Sequence, residues 1–219
     1  MLLAIVPAYN EAKRIEDVIK KLQDHVDEVV VVDDCSSDST VEVAQKAGAT
    51  VVTHKINLGQ GAALETGHAY ARKVGAEYVL HFDGDGQFDV ADISPALAML
   101  KEQKLDVVLG SRFMQKKGNV PPMKRYVIHP LARVFNFLIT GLWLTDAHNG
   151  FRILNKKALN AIHIQQNRMA HASEILALVK KNNLTVAEVP ITVTYHEYGQ
   201  RGSAAFVIVR DLILGKFVK

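Results

Sequence analysis

The sequence predicts an α/β fold, with a Rossmann-like, mostly parallel sheet and helices on both of its faces. Short apolar runs rich in valine and isoleucine alternate with amphipathic segments of helical period as far as Gly110. Such alternation favours parallel strands joined by right-handed crossovers. Several of these runs end in acidic or glycine-containing loops, and ligands of open α/β sheets bind at that edge. The 219 residues suit one domain with an ordinary core.

The apolar runs of the first half predict strands, and the segments between them predict helices. We expect strands at residues 2–6, 29–33, 50–53, 78–82 and 106–109, and helices at 12–23, 40–47, 61–74 and 92–102. Asp38 or Ser39 is expected to cap the second helix, which leaves Asp33 and Asp34 free in their loop. In the second half we expect a helix at 123–142, an irregular segment to 155, a helix at 170–182 and strands at 186–189 and 192–195.

The most informative loop follows the apolar run 76–82 and contains Asp83 and Asp85, each followed by a glycine. Magnesium and manganese prefer hard oxygen ligands and keep coordination sites free for substrate phosphates, so one or two carboxylates are enough. Glycines let the backbone approach a ligand closely. The alternative is a surface turn that happens to be acidic.

Polar loops also follow other strands of the predicted sheet. The first strand leads into residues 7–11, which include Glu11, and the second leads into Asp33 and Asp34. The loop 57–62 opens a helix with glycines, and either presents N–H groups to a phosphate or is a plain glycine-rich helix start. Glu11 has a structural alternative as an acid that complements the helix dipole. Acidic side chains are therefore expected to meet at one edge of the sheet.

These motifs together resemble the family-2 glycosyltransferases of GT-A fold. The matching segments are Pro7-Ala8-Tyr9-Asn10-Glu11, residues 31–38, Asn57-Leu58-Gly59, Asp83-Gly84-Asp85-Gly86-Gln87 and Gly110-Ser111-Arg112-Phe113. The second half, through Arg125, Asn136, residues 140–141 and the segment 146–152, is similar to the dolichol-phosphate mannose synthase and polyprenyl-phosphate glycosyltransferase branch. The resemblance implies a single domain over 1–219, with a nucleotide-sugar-binding half at 1–113 and an acceptor-side half at 114–219.

For the donor side, the resemblance implies a nucleotide-diphosphate sugar and a Mg²⁺ or Mn²⁺ ion. Asp85 is the expected direct metal ligand, with Asp83 and Gln87 beside it. The expected nucleotide-sugar-binding residues are Pro7, Tyr9, Glu11, Asp33, Asp34, Asn57, Gly59, Asp83 and Arg201, with Asp34 the weaker candidate. Arg201 would replace an arginine that this branch carries after its Val-Pro-Ile strand, where this chain has His196.

For the acceptor side, the resemblance implies that Arg112 and Arg125 hold an acceptor phosphate, because guanidinium groups suit two adjacent phosphates. Asp146 orients the sugar, acts as a base, or forms a buried pair with Arg152. Glu174 shares a helical face with His171 and is a candidate active-site acid, whereas His148 and His171 are expected to be structural. The candidate catalytic residues are therefore Asp85, Arg112, Arg125, Asp146 and Glu174.

The sequence favours an inverting transferase that moves a hexose to a polyprenyl phosphate in polysaccharide or cell-wall biosynthesis. The alternatives are transfer to a hydroxyl of a lipid-linked or cell-surface glycan, and an inactive nucleotide-sugar-binding module. Cys35 is the single cysteine, which excludes an intrachain disulfide and fits a cytoplasmic, reducing compartment. We expect no signal peptide, membrane span or nucleic-acid partner. The amphipathic segment 204–219 is expected to touch a membrane face, pack in a homo-oligomer, or pack on its own domain.

Overall fold

The computed structural model of the chain describes residues 1–114, 134, 137 and 141–194. Within these ranges the strands are β1 (Leu2–Ala8), β2 (Glu28–Asp33), β3 (Thr50–Thr53), β4 (Tyr78–His81), β5 (Val107–Ser111), β6 (Arg152–Asn155) and β7 (Val186–Pro190). The helices are α1 (Ile15–Gln23), α2 (Thr40–Lys46), α3 (Gln60–Val74), α4 (Ile93–Glu102), α5 (Lys156–Ala161) and α6 (His171–Lys181). A short 3-10 helix, Val90–Asp92, precedes α4. None of the helices in the described ranges has the length and apolar character needed to cross a membrane.

The strands form one mixed sheet in the order β3-β2-β1-β4-β6-β5-β7. The pairs β1–β2, β1–β4, β2–β3 and β5–β7 are parallel, whereas β6 is antiparallel to both of its neighbours, β4 and β5. The predicted mostly parallel sheet is confirmed. The carboxyl ends of β1, β2 and β4 consequently lie at one edge, where the acidic loops begin.

Helices cover both faces of the sheet, as the sequence predicts. Alternate residues of β1 point to opposite faces: Leu3 and Ile5 join a core that includes residues of α3, α5 and α6, and Ala4 and Val6 join one that includes residues of α1 and α4. Gly67 allows α3 to approach β1, since a Cβ at this position would lie 2.3 Å from Cγ2 of Ile5. The two cores pack on opposite faces of the sheet and so hold its strands, and the loops at their carboxyl ends, in place.

The structure corrects several predicted boundaries. Residues 152–155, expected to be irregular, form β6, because pairing with distant strands on both sides stabilises a run too short for periodicity to identify. The helix expected at 12–23 begins at Ile15. Helix α5 was not expected; it is six residues long, and the side chain of Asn155 accepts the N–H of Ala158 at 2.8 Å as its N-cap. The strand expected at 192–195 is, within the described residues, a single bridge between Val193 and Phe88.

Three aromatic rings join the two chain segments that carry the polar loops. Phe82 precedes Asp83, Phe88 follows Gln87, and Phe151 follows Gly150. Their ring centroids are 5.5 to 6.3 Å apart in edge-to-face arrangements. Such pairs add to the burial of apolar area and favour one geometry. They hold the acidic loop after β4 against the segment that leads into β6.

Candidate active site

A cavity of about 360 Å³ opens at the carboxyl edge of the parallel strands. Its lining comes from both halves of the chain. The loops after β1 and β4 contribute acidic and aromatic side chains, and the segments before β6 and at the start of α6 contribute nitrogen-bearing side chains. The lining residues are Pro7, Ala8, Tyr9, Glu11, Asp34, Gln60, Asp83, Gly84, Asp85, His148, Gly150, Arg152, Met169, His171 and Ala172.

Asp83 lies between the two halves of this lining. Its Oδ1 accepts a hydrogen bond from Nε2 of Gln60 at 2.8 Å. Burial and, after it, the charge of the neighbouring Asp85 raise the pKa of Asp83 to about 6, against the opposing charge of Arg152. A Cβ at Gly150 would lie 2.3 Å from Oδ2 of Asp83, so only glycine leaves room for this carboxylate. The acidic loop and the segment before β6 are therefore complementary in shape.

Asp85 is partly exposed in the same cavity, and its Oδ1 accepts the backbone N–H of Gln87 at 3.0 Å. In the described ranges no group of three or more His, Cys, Asp or Glu side chains could hold a metal ion. Two adjacent carboxylates nevertheless fit Mg²⁺ or Mn²⁺, because these ions bind one or two carboxylates together with substrate phosphates and water. The raised pKa of Asp83 reflects burial first and repulsion from Asp85 second, and a bound cation would offset both. Asp83 and Asp85 are the residues that would hold it.

The opposite wall of the cavity follows β1 and has both apolar and acidic character. Tyr9 is 51% exposed and Pro7 lies beside it in the lining. Burial raises the pKa of Glu11, against the opposing effect of Arg14, whose Nη1 lies 3.4 Å from Oε2. The backbone N–H of Glu11 donates to Oγ1 of Thr40 at 2.9 Å, which ties this loop to the start of α2. An exposed ring beside acceptor oxygens suits a nucleoside.

Asp33, the last residue of β2, and Asp34 are both buried, and the expectation that both are free in their loop is wrong for Asp34. Its Oδ1 lies 2.8 Å from both the N–H of Leu58 and Nδ1 of His54, and its Oδ2 accepts the N–H of Gly59 at 2.6 Å. Asp34 thus bonds two of the N–H groups that the glycine loop was expected to offer to a phosphate. Asp33 accepts the N–H of Ser36, but its Oδ1 is buried and has no hydrogen-bonding partner among the described residues.

The other residues of these loops have clear positions. Asp38 accepts the N–H of Thr40 at 3.0 Å, whereas Ser39 makes no side-chain cap, so Asp38 is the capping residue of the two that the sequence offered. Gly59 has φ +99°, and a Cβ there would lie 2.5 Å from the carbonyl oxygen of Asn167. Asn57 is exposed and is not part of the cavity lining. Gly59 therefore has a packing role between two backbones.

Arg112 and Asp146 form a bidentate ion pair, in which Nε and Nη2 of Arg112 lie 2.7 and 2.8 Å from the two carboxylate oxygens. The backbone N–H of Arg112 also donates to Asp146 at 3.1 Å. Burial raises the pKa of Asp146, but the Arg112 guanidinium outweighs it and holds the pKa below its usual value. Arg112, and not the Arg152 considered from the sequence, is the ion-pair partner of Asp146.

Glu188 was not identified from the sequence, yet it supports this ion pair from β7. Its carboxylate accepts the N–H groups of Thr145 and Asp146 at 2.8 to 2.9 Å and the hydroxyl of Thr145 at 2.9 Å. Asn149 completes the arrangement through a 3.2 Å hydrogen bond to Asp146. The segment 145–149 is therefore held at several points before it reaches the cavity.

Glu174 lies outside the cavity lining, and its carboxylate accepts the backbone N–H groups of Gln165 and Gln166 at 2.8 to 3.1 Å. His171 and Arg152, by contrast, line the cavity. Arg152 is 2% exposed, and burial lowers its pKa to about 10 while Asp83 and Asp146 oppose this. Its sequence signal was an arginine beginning an otherwise apolar run. Arg125, Arg201, His196 and the segment 204–219 lie outside the described residues.

Comparisons with known proteins identify a family and a fold for this chain. A family model described as glycosyl transferase family 2 matches residues 3–162. An uncharacterized protein of Methanocaldococcus jannaschii is 34% identical over 98% of this chain and 92% of its own length. A UDP-N-acetylglucosamine–dolichyl-phosphate N-acetylglucosaminyltransferase of Methanococcus voltae is 31% identical over 94% of this chain and 91% of its own. The crystal structure of glucosyl-3-phosphoglycerate synthase from Mycobacterium tuberculosis with Mg²⁺ and UDP superimposes with a TM-score of 0.73 at 18% identity, covering 97% of this chain and 76% of that one.

Proposed function

The chain belongs to glycosyl transferase family 2, and we propose that it transfers a hexose, with inversion, from a nucleotide-diphosphate sugar to a polyprenyl phosphate. The relative from Methanococcus voltae, by its name, acts on dolichyl phosphate, which supports an acceptor of this class. The cavity supports the donor half of the proposal, because it combines an exposed aromatic wall with two carboxylates at a parallel sheet edge.

In the proposed reaction a phosphate oxygen of the acceptor attacks the anomeric carbon of the hexose. The bond between that carbon and the diphosphate oxygen breaks, and the nucleoside diphosphate leaves with the electron pair. A single displacement inverts the configuration at the anomeric carbon. Mg²⁺ or Mn²⁺, when bound, supplies charge neutralisation on the diphosphate. Asp85 and Asp83 would hold the ion, and Tyr9, Pro7 and Glu11 would contact the nucleoside.

One observation carries the choice of a phosphate over a hydroxyl acceptor: both described candidate bases are already engaged by donors. Arg112 bonds both oxygens of Asp146 and holds its pKa low, and two backbone N–H groups bond Glu174. The Arg112 guanidinium stabilises the ionised form of Asp146 and weakens it as a general base, and Glu174 lies outside the cavity lining. A phosphate acceptor is already anionic and needs no base. Arg112, with a third of its side chain exposed, would instead face the acceptor phosphate from the Asp146 ion pair.

The experiment is transfer of labelled sugar from UDP-glucose, UDP-N-acetylglucosamine or GDP-mannose, with Mn²⁺, to three acceptors. These are a short polyprenyl phosphate, the matched polyprenol and an oligosaccharide. We expect product only with the polyprenyl phosphate. Transfer to the polyprenol or the oligosaccharide, without transfer to the phosphate, would support the hydroxyl-acceptor alternative and overturn the proposal. Donor binding without transfer to any acceptor would support a binding module.

Because the acceptor is a lipid, we further propose that the protein works peripherally at the cytoplasmic membrane face, with the amphipathic segment 204–219 as the contact. Flotation with anionic vesicles tests this directly. Protein comprising residues 1–219 is expected to float with the vesicles, and protein that ends at residue 203 is expected to remain in the dense fraction. Equal flotation of the two proteins would remove the segment from the membrane contact.

A further inference from the structure

One side of the cavity contains two buried nitrogen-bearing side chains that neither the metal nor the ion pair of Arg112 uses. Arg152 begins β6 and His171 begins α6, and both line the same cavity. Arg152 is 2% and His171 3% exposed. The Arg152 guanidinium contributes to lowering the pKa of the His171 ring, after burial, which places the two groups within electrostatic reach of each other.

Arg152 is a hydrogen-bond donor without a complete set of partners. Its Nη1 is buried, and no acceptor in the described part of the chain meets it. Asp83 and Asp146 act on Arg152 through their charge, but neither is within the 4.0 Å that defines an ion pair. A guanidinium has only donors and stays charged in proteins. A buried donor of this kind is rare and is normally completed by water or by a ligand.

His171 is, by contrast, an acceptor. Its Nδ1 lies 2.7 Å from the carbonyl oxygen of Arg168, and because a carbonyl can only accept, Nδ1 carries the hydrogen. Burial lowers the pKa of His171 to about 4, so the ring is neutral near pH 7 and Nε2 carries a free lone pair. Gly61 lets α3 approach the start of α6 closely, since a Cβ at Gly61 would lie only 2.8 Å from Cβ of His171.

We propose that Arg152 and His171 recognise a hydroxyl group of the hexose that is transferred, with Arg152 donating to its oxygen and His171 Nε2 accepting its hydrogen. This inference rests on the proposed function and adds a sugar subsite to it. A hydroxyl is both donor and acceptor, so it satisfies both residues at once. A phosphate oxygen, which only accepts, would satisfy Arg152 but would oppose the lone pair of His171. The pair therefore fits a hydroxyl group and not an oxygen of the diphosphate.

The first test compares a nucleotide sugar with its nucleotide. Calorimetric titration of UDP-glucose and of UDP, each with Mn²⁺, is made on the wild type, His171→Leu, Arg152→Met and the exposed control His163→Gln. We expect His171→Leu and Arg152→Met each to weaken UDP-glucose binding on the order of tenfold, as expected for a lost hydrogen bond to a charged or buried group, and to leave UDP binding within about twofold. An equal loss for UDP would assign the pair to the nucleoside diphosphate that both ligands share and overturn the proposal, as would no loss for either ligand.

The second test identifies the hydroxyl. The 2-, 3-, 4- and 6-deoxy analogues of UDP-glucose are compared with UDP-glucose on the wild type and on His171→Leu, which keeps the test available if Arg152→Met does not fold. One analogue is expected to bind the wild type on the order of tenfold more weakly and to lose most of that penalty in His171→Leu. Penalties that are unchanged by the substitution would overturn the subsite.

The two proposals fail in different ways. If the wild type uses GDP-mannose instead, the ligand pair becomes GDP-mannose and GDP, with the deoxy-mannose analogues. A wild type that binds no nucleotide sugar overturns the proposed function and the subsite with it. A wild type that binds and transfers the sugar, with no difference between the nucleotide and the nucleotide sugar in the variants, overturns the subsite alone.

Discussion

Two polar regions, one that lines the cavity and one that holds the chain segment leading to it, differ in how completely their hydrogen bonds are made. The anchored network consists of Arg112, Thr145, Asp146, Asn149 and Glu188, and each of its carboxylates accepts at least three hydrogen bonds within the chain. The cavity floor consists of Asp83, Arg152 and His171, and there Arg152 Nη1 is buried without a partner in the described ranges. Complete networks fix a backbone, whereas an incomplete one leaves groups to bind a ligand.

Because of this difference, we expect substitutions in the two regions to have different consequences. Removing one partner of a complete network leaves other buried groups unpaired and lowers stability. Removing a group that awaits a ligand takes away binding and leaves most internal contacts intact. Sites of this second kind are commonly less stable than their surroundings, because the free protein contains the unpaired groups. We therefore expect substitutions in the cavity to act mainly on activity and those in the anchored network mainly on stability, with Arg112, which would also face the acceptor phosphate, acting on both.

The largest effect is expected at the cavity, for Asp85→Asn. Under the proposed function, the variant should lose metal-dependent transfer by on the order of a hundredfold or more, because it removes a charge that would hold the metal ion next to the leaving diphosphate. Its melting temperature should stay close to that of the wild type, since the backbone N–H of Gln87 still finds an oxygen. Asp89→Asn, which keeps the cap on Ala91, is the matched control. Near-normal turnover of folded Asp85→Asn would remove the metal from this loop.

The anchored network is expected to respond in stability. Asp146→Ala removes the acceptor of the Arg112 guanidinium and should lower the free energy of unfolding by about 2 to 4 kcal/mol, the range for breaking a partly buried, hydrogen-bonded ion pair. Urea unfolding measures this, with the exposed Asp24→Ala as control. Arg112→Ala should cost less, because a third of the arginine side chain is already exposed. An Asp146→Ala protein as stable as the wild type would contradict the structural role of the network.

The sequence predicts where the acidic loops of the cavity lie, because each of them follows a strand that neighbouring residues in the chain are enough to identify. An apolar run ending in Asp83 implies a strand, and parallel strands place their carboxyl ends at one edge. Asp34 was misread because its partners, Leu58 and Gly59, are 24 and 25 residues away in the chain. The loop 57–59 folds back onto it, and neither segment alone indicates this contact.

The other side of the cavity depends on strand pairing between distant parts of the chain, and a single sequence does not reveal this pairing. Strand β6 has four residues and lies antiparallel between β4 and β5, so Arg152 faces His81 in register only after the sheet has formed. The same holds for Glu188. In the sequence it is a single acid on the short strand β7, and only the folded sheet brings it to the backbone N–H of Thr145. Burial by distant segments, and not local pattern, decides which of these polar residues are left for a ligand.

The pH dependence of ligand binding is expected to report on the cavity floor. Since the folded protein raises the pKa of Asp83 to about 6, from an ordinary value of 3.8, the carboxyl is protonated between these values in the folded chain and ionised in the unfolded chain. Its contribution to stability is therefore present below about pH 4 and is lost as the pH rises through 6. A metal ion must displace this proton, so Mn²⁺-dependent UDP binding should weaken by up to about tenfold per unit below pH 6.

Calorimetric titration of UDP with Mn²⁺ between pH 5 and 8 checks this expectation, and urea unfolding of the metal-free protein checks the stability side. In Asp83→Asn the pH-dependent part of both quantities should shrink. If the wild type binds UDP with Mn²⁺ equally tightly at pH 5 and pH 8, metal binding does not displace a proton from Asp83.

The smallest effect is expected at the end of β2 and in the loop after it, where a buried oxygen also lacks a hydrogen-bonding partner among the described residues. Oδ1 of Asp33 is buried without a described partner, and two residues later comes Cys35, the single thiol of the chain. If the nucleoside completes Asp33, bound UDP with Mn²⁺ should order this loop and slow alkylation of Cys35 by about two- to fivefold, as expected for ligand-linked protection of a local opening. Cys35 is outside the cavity lining, so the protection acts through the loop and stays modest. Asp85→Asn, which should bind the metal complex weakly, is the control and should show no protection. Equal rates of Cys35 alkylation with and without saturating nucleotide in the wild type would show that the nucleotide does not order this loop. Asp33 would then have no role in donor binding.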